Sequence, residues 1–172
     1  MKLTEPDAVF VKESSGDFGF SGSALAELLQ ATLVTGASFR FTAKGFSMTP
    51  FIRDNDVVTV SPLSNYPEGL GKMAAFINPK TERLVIHRIV GRNSTGYLLK
   101  GDNCPDIDGV IPKEKILGCV TEIRRSNRKS SLGLGLERYV IAAISRWTMI
   151  FPFLLYMWKH LRFALKKDIK NE

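Results

Sequence analysis

The stretch that decides the fold is KGFSMTPFIRDNDVVTV, Lys44 to Val60. Gly45 and Pro50 flank Ser47 on its two sides, and glycine and proline in this spacing predict a turn. The acidic turn RDND then leads directly into VVTV, whose β-branched residues favour a strand. A serine at such a bend is either an ordinary turn residue or an exposed nucleophile. The remaining sequence has to separate the two interpretations.

Short strand patterns dominate the chain around this stretch. SFRFTA alternates before it, and MAAFIN and RLVIHRIVG follow it, joined by a turn from Asn78 to Glu82. YLLKGDN and KILGCVTEI continue the pattern after further turns. We therefore predict that residues 37–124 form a mainly β domain, a coiled antiparallel sheet or small barrel.

A short amphipathic helix is predicted within the N-terminal extension, residues 1–36. In residues 21–35 the leucines recur at helical spacing, Ser21 or Ser23 can cap the first turn, and Gly36 can end the helix. No long apolar run follows Lys2, so the N-terminus does not resemble a signal peptide or an anchor.

The net charge of +7 is concentrated near the C-terminus. Residues 1–120 carry 13 basic and 13 acidic side chains, whereas residues 121–172 carry 11 and 4. This basic region surrounds an apolar segment, Tyr139 to Trp158, whose length suits a membrane span of about 20 residues but which contains Arg146 and Pro152. We expect a basic, glycine-containing linker over 125–138 and contact with membrane lipids through 139–172. Because residues 1–120 are neutral, nucleic-acid binding is not expected.

Two cysteines, Cys104 and Cys119, are too few for a disulfide framework and form no CxxC pair. No metal or cofactor is therefore expected. Of the two histidines, His160 lies in the basic tail, but His87 lies in the apolar run LVIHRIV, where a ring needs a polar partner. His87 could be a structural histidine or the base that a serine nucleophile requires.

Three aspartates in KGDNCPDID, at positions 102, 106 and 108, could orient such a base. The spacing alone does not select one of them.

Together these segments resemble a known family. GFSMTPFIRDNDVVTV resembles the nucleophile box of type I signal peptidases and of the SOS and phage repressor autoproteases. IHRIVG and LLKGDNCPDID resemble the boxes of the archaeal and endoplasmic-reticulum branch, in which histidine is the base, and ILGCV stands in the place of that family's Ile-x-Gly-x-Val strand. The similarity covers roughly residues 38–121.

The resemblance implies a serine endopeptidase acting on a peptide or preprotein. It makes Ser47 the nucleophile, His87 the general base and Asp108 the orienting carboxylate, with Asp102 as a second acidic position. The Ser47 N–H would then belong to the oxyanion hole. Gly45, Met48 and Pro50 would shape the oxyanion hole and substrate cleft, although packing alone explains Met48 and Pro50 equally well.

The sequence departs from the family at Gly45, where signal peptidases often carry a serine that donates to the oxyanion. A second departure is Gly71-Lys72-Met73-Ala74, where the family commonly has Gly-Asp-Ile-Val. The family's anchor usually precedes the nucleophile, whereas the apolar segment here follows it. We therefore expect a membrane-associated protein, with a slight preference for a catalytic domain facing the cytoplasm.

Two alternatives remain open at this stage. One is a repressor-type autoprotease, for which Val34-Thr35-Gly36-Ala37 is the only comparable local cleavage site. The other is a membrane-bound binding module that has kept the fold and lost activity. Gly45 favours this interpretation because it lacks the hydroxyl that donates to the oxyanion in many signal peptidases.

Overall fold

In the computed structural model of the chain, the described residues are 9–11 and 22–146. Two α-helices are present there, α1 (Gly22–Val34) and α2 (Arg138–Arg146), with a short 3-10 helix at Lys113–Lys115. The strands are β1 (Val9–Val11), β2 (Phe39–Thr42), β3 (Val57–Pro62), β4 (Met73–Ile77), β5 (Leu84–Arg92), β6 (Tyr97–Lys100), β7 (Ile107–Ile111), β8 (Ile116–Arg125) and β9 (Arg128–Ser130).

These strands form one sheet in the order β1-β2-β3-β8-β4-β5-β6-β7, with β9 paired to β8. All pairs are antiparallel except β1 with β2, which is parallel. The prediction of a mainly β, largely antiparallel domain is confirmed. The sheet also extends beyond the predicted limits of 37–124, because β1 comes from the N-terminal extension and β9 from the predicted linker.

The larger core lies between α1 and the strands β2, β3 and β8. Leu29 and Leu33 of α1 are buried against Phe39, Val58 and apolar neighbours on these strands. Each such side chain contributes about 1.5–3 kcal/mol when it leaves water, so this contact fixes α1 on the sheet. The predicted amphipathic helix and its stop at Gly36 are confirmed, since Gly36 has a φ of 84° directly after the helix.

A second core packs on the other face of β4. Met73 and Ala75 face the first core, whereas Ala74 and Phe76 face the second, so β4 is buried on both sides. This burial explains why MAAFI is apolar throughout instead of alternating. The second core joins β4 to β5, β6 and β7 and thereby holds the strands that carry the candidate site.

The C-terminal part of the described chain folds back on the sheet. β9 follows a tight turn at Ser126 and Asn127, whose φ values are 48° and 63°. α2 then packs mainly against β5, with Ala142 and Ser145 buried.

In the described ranges, neither helix has the length and apolar character that a membrane span requires. Most of the predicted apolar segment, from Trp147 onward, lies outside the described residues, as does His160.

Candidate active site

His87 and Asp108 are brought together across the end of β6. β6 separates β5 from β7, and its last residue, Lys100, pairs with Arg88 on one side and Ile107 on the other. Beyond that end the His87 Nδ1 donates to Asp108 Oδ2 at 2.5 Å. The two side chains are only 9% and 13% exposed, so water competes little for this bond.

A β-bulge aims the Asp108 side chain. Leu99 pairs with Gly109 and Lys100 pairs with Ile107, so Asp108 is the extra residue on β7 with no partner on β6. Bulges redirect side chains and are frequent beside active sites. Gly109 follows with a φ of 108°, in the left-handed region that favours glycine. The choice among the three candidate aspartates therefore depends on this register.

The turn that carries Ser47 is fixed by hydrogen bonds on both of its sides. The Asn103 N–H donates to Ser47 O at 2.8 Å, and the Asn103 side-chain amide donates to Phe46 O at 3.2 Å. The Phe51 and Ile52 N–H groups both donate to Met48 O at 3.0 Å, which closes the following turn. Ser47 itself is half-buried, whereas Phe46 is 69% exposed.

Gly101 lies between the Ser47 turn and the His87 ring. A side-chain carbon on Gly101 would be 2.9 Å from Ser47 O, 3.0 Å from His87 Nε2 and 2.6 Å from Cys104 Sγ. The structure thus brings Ser47, His87 and Asp108 into one region, with Nε2 on the Ser47 side of the ring. In the described part of the chain no hydrogen bond joins the Ser47 hydroxyl to His87. Such bonds are often long in free enzymes and tighten when substrate binds.

Asp102 has a different partner. The single Arg88 Nε–H is shared between the Asp102 oxygens Oδ1 and Oδ2, at 2.8 and 3.1 Å, and Arg88 Nη2 donates to Oδ2 at 2.7 Å. Both side chains are completely buried. Asp102 therefore does not orient His87, and it belongs to an ion pair beside the site. Arg88 was not singled out in the sequence, although an arginine inside an apolar run was a signal of a buried partner.

The backbone N–H groups of Gly45 and Ser47 are the two candidates for binding an oxyanion. Gly45 has a φ of 97°, which a serine would adopt only with strain, and its N–H donates to Asp54 Oδ1 at 2.9 Å. The Gly45 N–H is therefore engaged elsewhere. Over residues 22–146 no acceptor is found for the Ser47 N–H, which leaves that group available.

A groove of about 280 Å³ leads to Ser47. One wall is the end of β2 and the residues after it, and the other is Leu84 to Ile86 of β5. Among the described residues, β5 pairs with β6 only from Arg88 onward, and no strand pairs with residues 84–86 on the side away from β4. The lining residues are Leu25, Phe41, Thr42, Ala43, Lys44, Gly45, Ser47, Met48, Ile52, Leu84, Val85 and Ile86.

Met48 lines this groove but is also buried in the larger core at 4% exposure. Pro50 follows a cis peptide bond and does not line the groove. Of the residues predicted to shape the cleft, Gly45 and Met48 therefore border it, and Pro50 lies in the turn behind.

Lys100 and Cys104 are ionisable groups near the site that the sequence did not single out as functional. Burial lowers the pKa of the Lys100 amino group, while the charge of Asp102 opposes that shift. Burial also raises the pKa of the Cys104 thiol, and the negative charge of Asp108 adds to the effect. At neutral pH Cys104 is therefore a neutral thiol beside His87.

Within residues 22–146 no group of His, Cys, Asp and Glu side chains has the arrangement of a metal site. No model of a known protein family matches the chain, and no characterised protein has significant sequence similarity to it.

Proposed function

We propose that the protein is a serine endopeptidase of the signal-peptidase type, with a coiled β-sheet fold of that family. The observation that carries the proposal is the His87–Asp108 hydrogen bond of 2.5 Å, with His87 Nε2 turned towards the Ser47 turn across Gly101. In this hydrogen bond the ring hydrogen is on Nδ1, so the lone pair is on Nε2. A general base needs this tautomer of histidine. The groove beside Ser47 borders the edge of β5, which is an arrangement that suits an extended peptide.

The chemistry follows the order of an acyl transfer. The Ser47 hydroxyl gives its proton to His87 Nε2 while Oγ attacks the scissile carbonyl carbon. The carbonyl oxygen becomes an oxyanion that accepts from the Ser47 N–H, and Asp108 stabilises the imidazolium. His87 returns the proton to the departing amine, which leaves an acyl ester on Ser47. Water, deprotonated by His87, then hydrolyses the ester and releases the acid product.

The substrate is proposed to be an extended peptide segment of a precursor or preprotein. In the described part of the chain, the β5 edge at residues 84–86 has no strand partner away from β4, and a peptide lying in the groove would pair with it. Main-chain pairing of this kind accepts varied side chains. The wall next to Ser47 is mainly apolar, with Thr42 and Lys44 as its polar neighbours, so small or apolar side chains suit it best.

Membrane association through residues 139–172 is part of the same proposal. In α2, Tyr139 is 46% and Val140 is 62% exposed, and Leu136 just before it is 82% exposed. Apolar side chains near basic ones suit the surface of an anionic bilayer. A catalytic domain facing the cytoplasm would act on a dedicated precursor or membrane partner.

The test is cleavage of a mixed library of unstructured peptides, with products identified by mass spectrometry. Wild-type protein is expected to produce cuts that Ser47→Ala and His87→Ala both lose. Cuts that persist in Ser47→Ala would refute the proposal.

The autoprotease alternative is less well supported. Gly36 and Ser47 lie beyond opposite ends of β2, since Gly36 precedes the strand and Ser47 follows it. Gly36 O also accepts a hydrogen bond from the Asn65 side-chain amide. Intramolecular cleavage there would require α1 to leave the core. Intact mass after prolonged incubation at high pH distinguishes the two, because the autoprotease alone would lose a fragment ending near residue 36.

The inactive binding module draws support from the engaged Gly45 N–H and from the missing Ser47–His87 hydrogen bond in the described residues. It predicts an intact groove that binds peptides and cuts none of them. The peptide library therefore separates it from the peptidase.

A further inference from the structure

The buried Arg88–Asp102 pair is completed by residues from the C-terminal part of the described chain. Arg88 Nη1 donates to Gly133 O at 3.0 Å as well as to Gly71 O at 2.7 Å. Ser145 Oγ of α2 donates to Asp102 Oδ1 at 3.1 Å, and Ser145 is only 2% exposed. A fully buried ion pair is stable only when its remaining donors and acceptors are satisfied. Two of those bonds come from beyond the sheet.

The same pair touches both halves of the candidate active site. Arg88 directly follows His87 in β5, and its guanidinium lies 5.0 Å from the centre of the Phe51 ring, at the end of the Ser47 turn. Asp102 directly precedes Asn103, whose N–H holds Ser47 O at 2.8 Å. A displacement of the pair would therefore move the nucleophile and the base relative to each other.

α2 is seated closely enough to fix the pair. Ala142 is 1% exposed in its contact with the sheet. A side-chain carbon on Gly71 would lie 2.7 Å from the Arg138 carbonyl oxygen, so the first turn of α2 lies directly against the turn whose carbonyl accepts from Arg88. Gly133 has a φ of 87° and no room for a side chain, since Phe51 would be 3.0 Å away.

We propose that α2 and the segment leading into it form a positioning element of the active site, which acts on Arg88–Asp102 through Ser145 of α2 and the Gly133 carbonyl before it. The role rests on the proposed peptidase function. Neither residue touches the reacting atoms, so both act through the ion pair. α2, which begins the segment predicted to contact the membrane, is thus connected to Ser47 and His87 through the Arg88–Asp102 pair.

The test uses the full chain and a fluorophosphonate probe, with the rate of Ser47 labelling followed by intact mass. Ala142→Glu places a charge at a buried position of α2 and should displace the helix from the sheet. Ala143→Glu is its matched control, because Ala143 is exposed and receives the same charge. Ser145→Ala removes the single bond to Asp102. We expect Ala142→Glu and Ser145→Ala to label about tenfold more slowly at saturating probe, since small misplacements of reacting groups are costly, and Ala143→Glu to match wild type.

Two further readouts separate positioning from general stability. The rates are measured well below each variant's unfolding temperature. Ser145→Ala is repeated in an Asp102→Ala background, where its effect should vanish because the acceptor of the Ser145 hydroxyl is gone. The ring proton resonances of His87 should shift in Ala142→Glu and not in Ala143→Glu.

If the probe labels the wild-type chain and labels Ala142→Glu and Ser145→Ala at the same rate, the positioning role is wrong and the proposed function stands. A wild-type chain that the probe does not label would overturn the proposed function and this role with it.

Discussion

His87 Nδ1 donates to Asp108 Oδ2 at 2.5 Å, while Asp102, equally close to the site in sequence, pairs with Arg88. The two carboxylates therefore have separate tasks. Asp108 can orient the imidazole of His87. Asp102 neutralises the buried guanidinium of Arg88, the residue that follows His87 in β5. This division yields opposite expectations for otherwise identical substitutions.

Asp108→Asn should abolish most activity and leave the fold stable. The amide can donate to Nδ1 and so favours the wrong tautomer of His87, an effect worth about 10⁴-fold in a serine-histidine-aspartate site. Peptide cleavage rate and thermal unfolding are measured together. Asp106→Asn is the matched control because Asp106 is exposed and should change neither quantity.

Asp102→Asn should instead lower stability, because it leaves the Arg88 charge buried without a counter-ion. Loss of one partner of a buried pair costs about 3–5 kcal/mol in free energy of unfolding. Denaturant unfolding measures the loss. If Asp102→Asn were as stable as wild type, Arg88 and Asp102 could not form the buried pair described above.

Gly101→Ala should inactivate the protein through sterics alone. The new methyl would lie 2.6 Å from Cys104 Sγ, 2.9 Å from Ser47 O and 3.0 Å from His87 Nε2, so at least one of them must move. Gly109→Ala is the control for steric contact, because a methyl group there would meet no atom within 4 Å. The positive φ of Gly109 does add backbone strain in this control. A fully active Gly101→Ala protein would contradict the site geometry.

Alkylation of Cys104 should block the site and should accelerate with pH. Burial and Asp108 raise the pKa of the Cys104 thiol, so the reactive thiolate forms only at higher pH than for an ordinary cysteine. Cys119 is fully buried, and burial raises the pKa of its thiol to about 12, so it should react far more slowly.

Mass spectrometry after iodoacetamide treatment at several pH values measures both rates, and residual cleavage measures the block. Cys104→Ser should stay active after the same treatment. Inhibition of that variant would show that another group is responsible.

Acid should loosen the attachment of α2. Backbone N–H groups of Glu137 itself, Gly133 and Gly135 hold the pKa of the Glu137 carboxyl below its ordinary value. Because the folded pKa is lowered, this stabilisation is present above the unfolded pKa and is lost as pH falls through the folded pKa. Hydrogen exchange of α2, corrected for the intrinsic rate, should therefore rise on acidification in wild type.

Glu137→Gln should show faster α2 exchange at neutral pH and lose that acid dependence. Glu27→Gln, at an exposed position of α1, is the control and should behave as wild type. An unchanged acid response in Glu137→Gln would assign the effect to another group.

Local sequence patterns predicted the features that depend on neighbouring residues. The turn around Ser47, the helix ending before Gly36 and most strands follow from glycine, proline and apolar periodicity. No separate strand is predicted between YLLKGDN and KILGCVTEI, and Ile107–Ile111 becomes the strand β7 through its pairing with β6.

Features that depend on register could not be predicted. A bulge opposite Lys100 selects Asp108 over the other aspartates, and its position is set by the β6–β7 pairing. The Arg88–Asp102 pair needs Gly133 and Ser145, which are distant in sequence and meet it only after α2 packs on β5. The segment 125–138, predicted as a linker, contains β9 for the same reason.

The most direct test of the central claim is where a fluorophosphonate reacts. Peptide mapping of the labelled wild-type chain should find one adduct, on Ser47, and His87→Ala should form it at least about 10²-fold more slowly because the general base is lost. Labelling of another residue, or equal labelling of Ser47 in His87→Ala, would contradict a Ser47–His87–Asp108 peptidase.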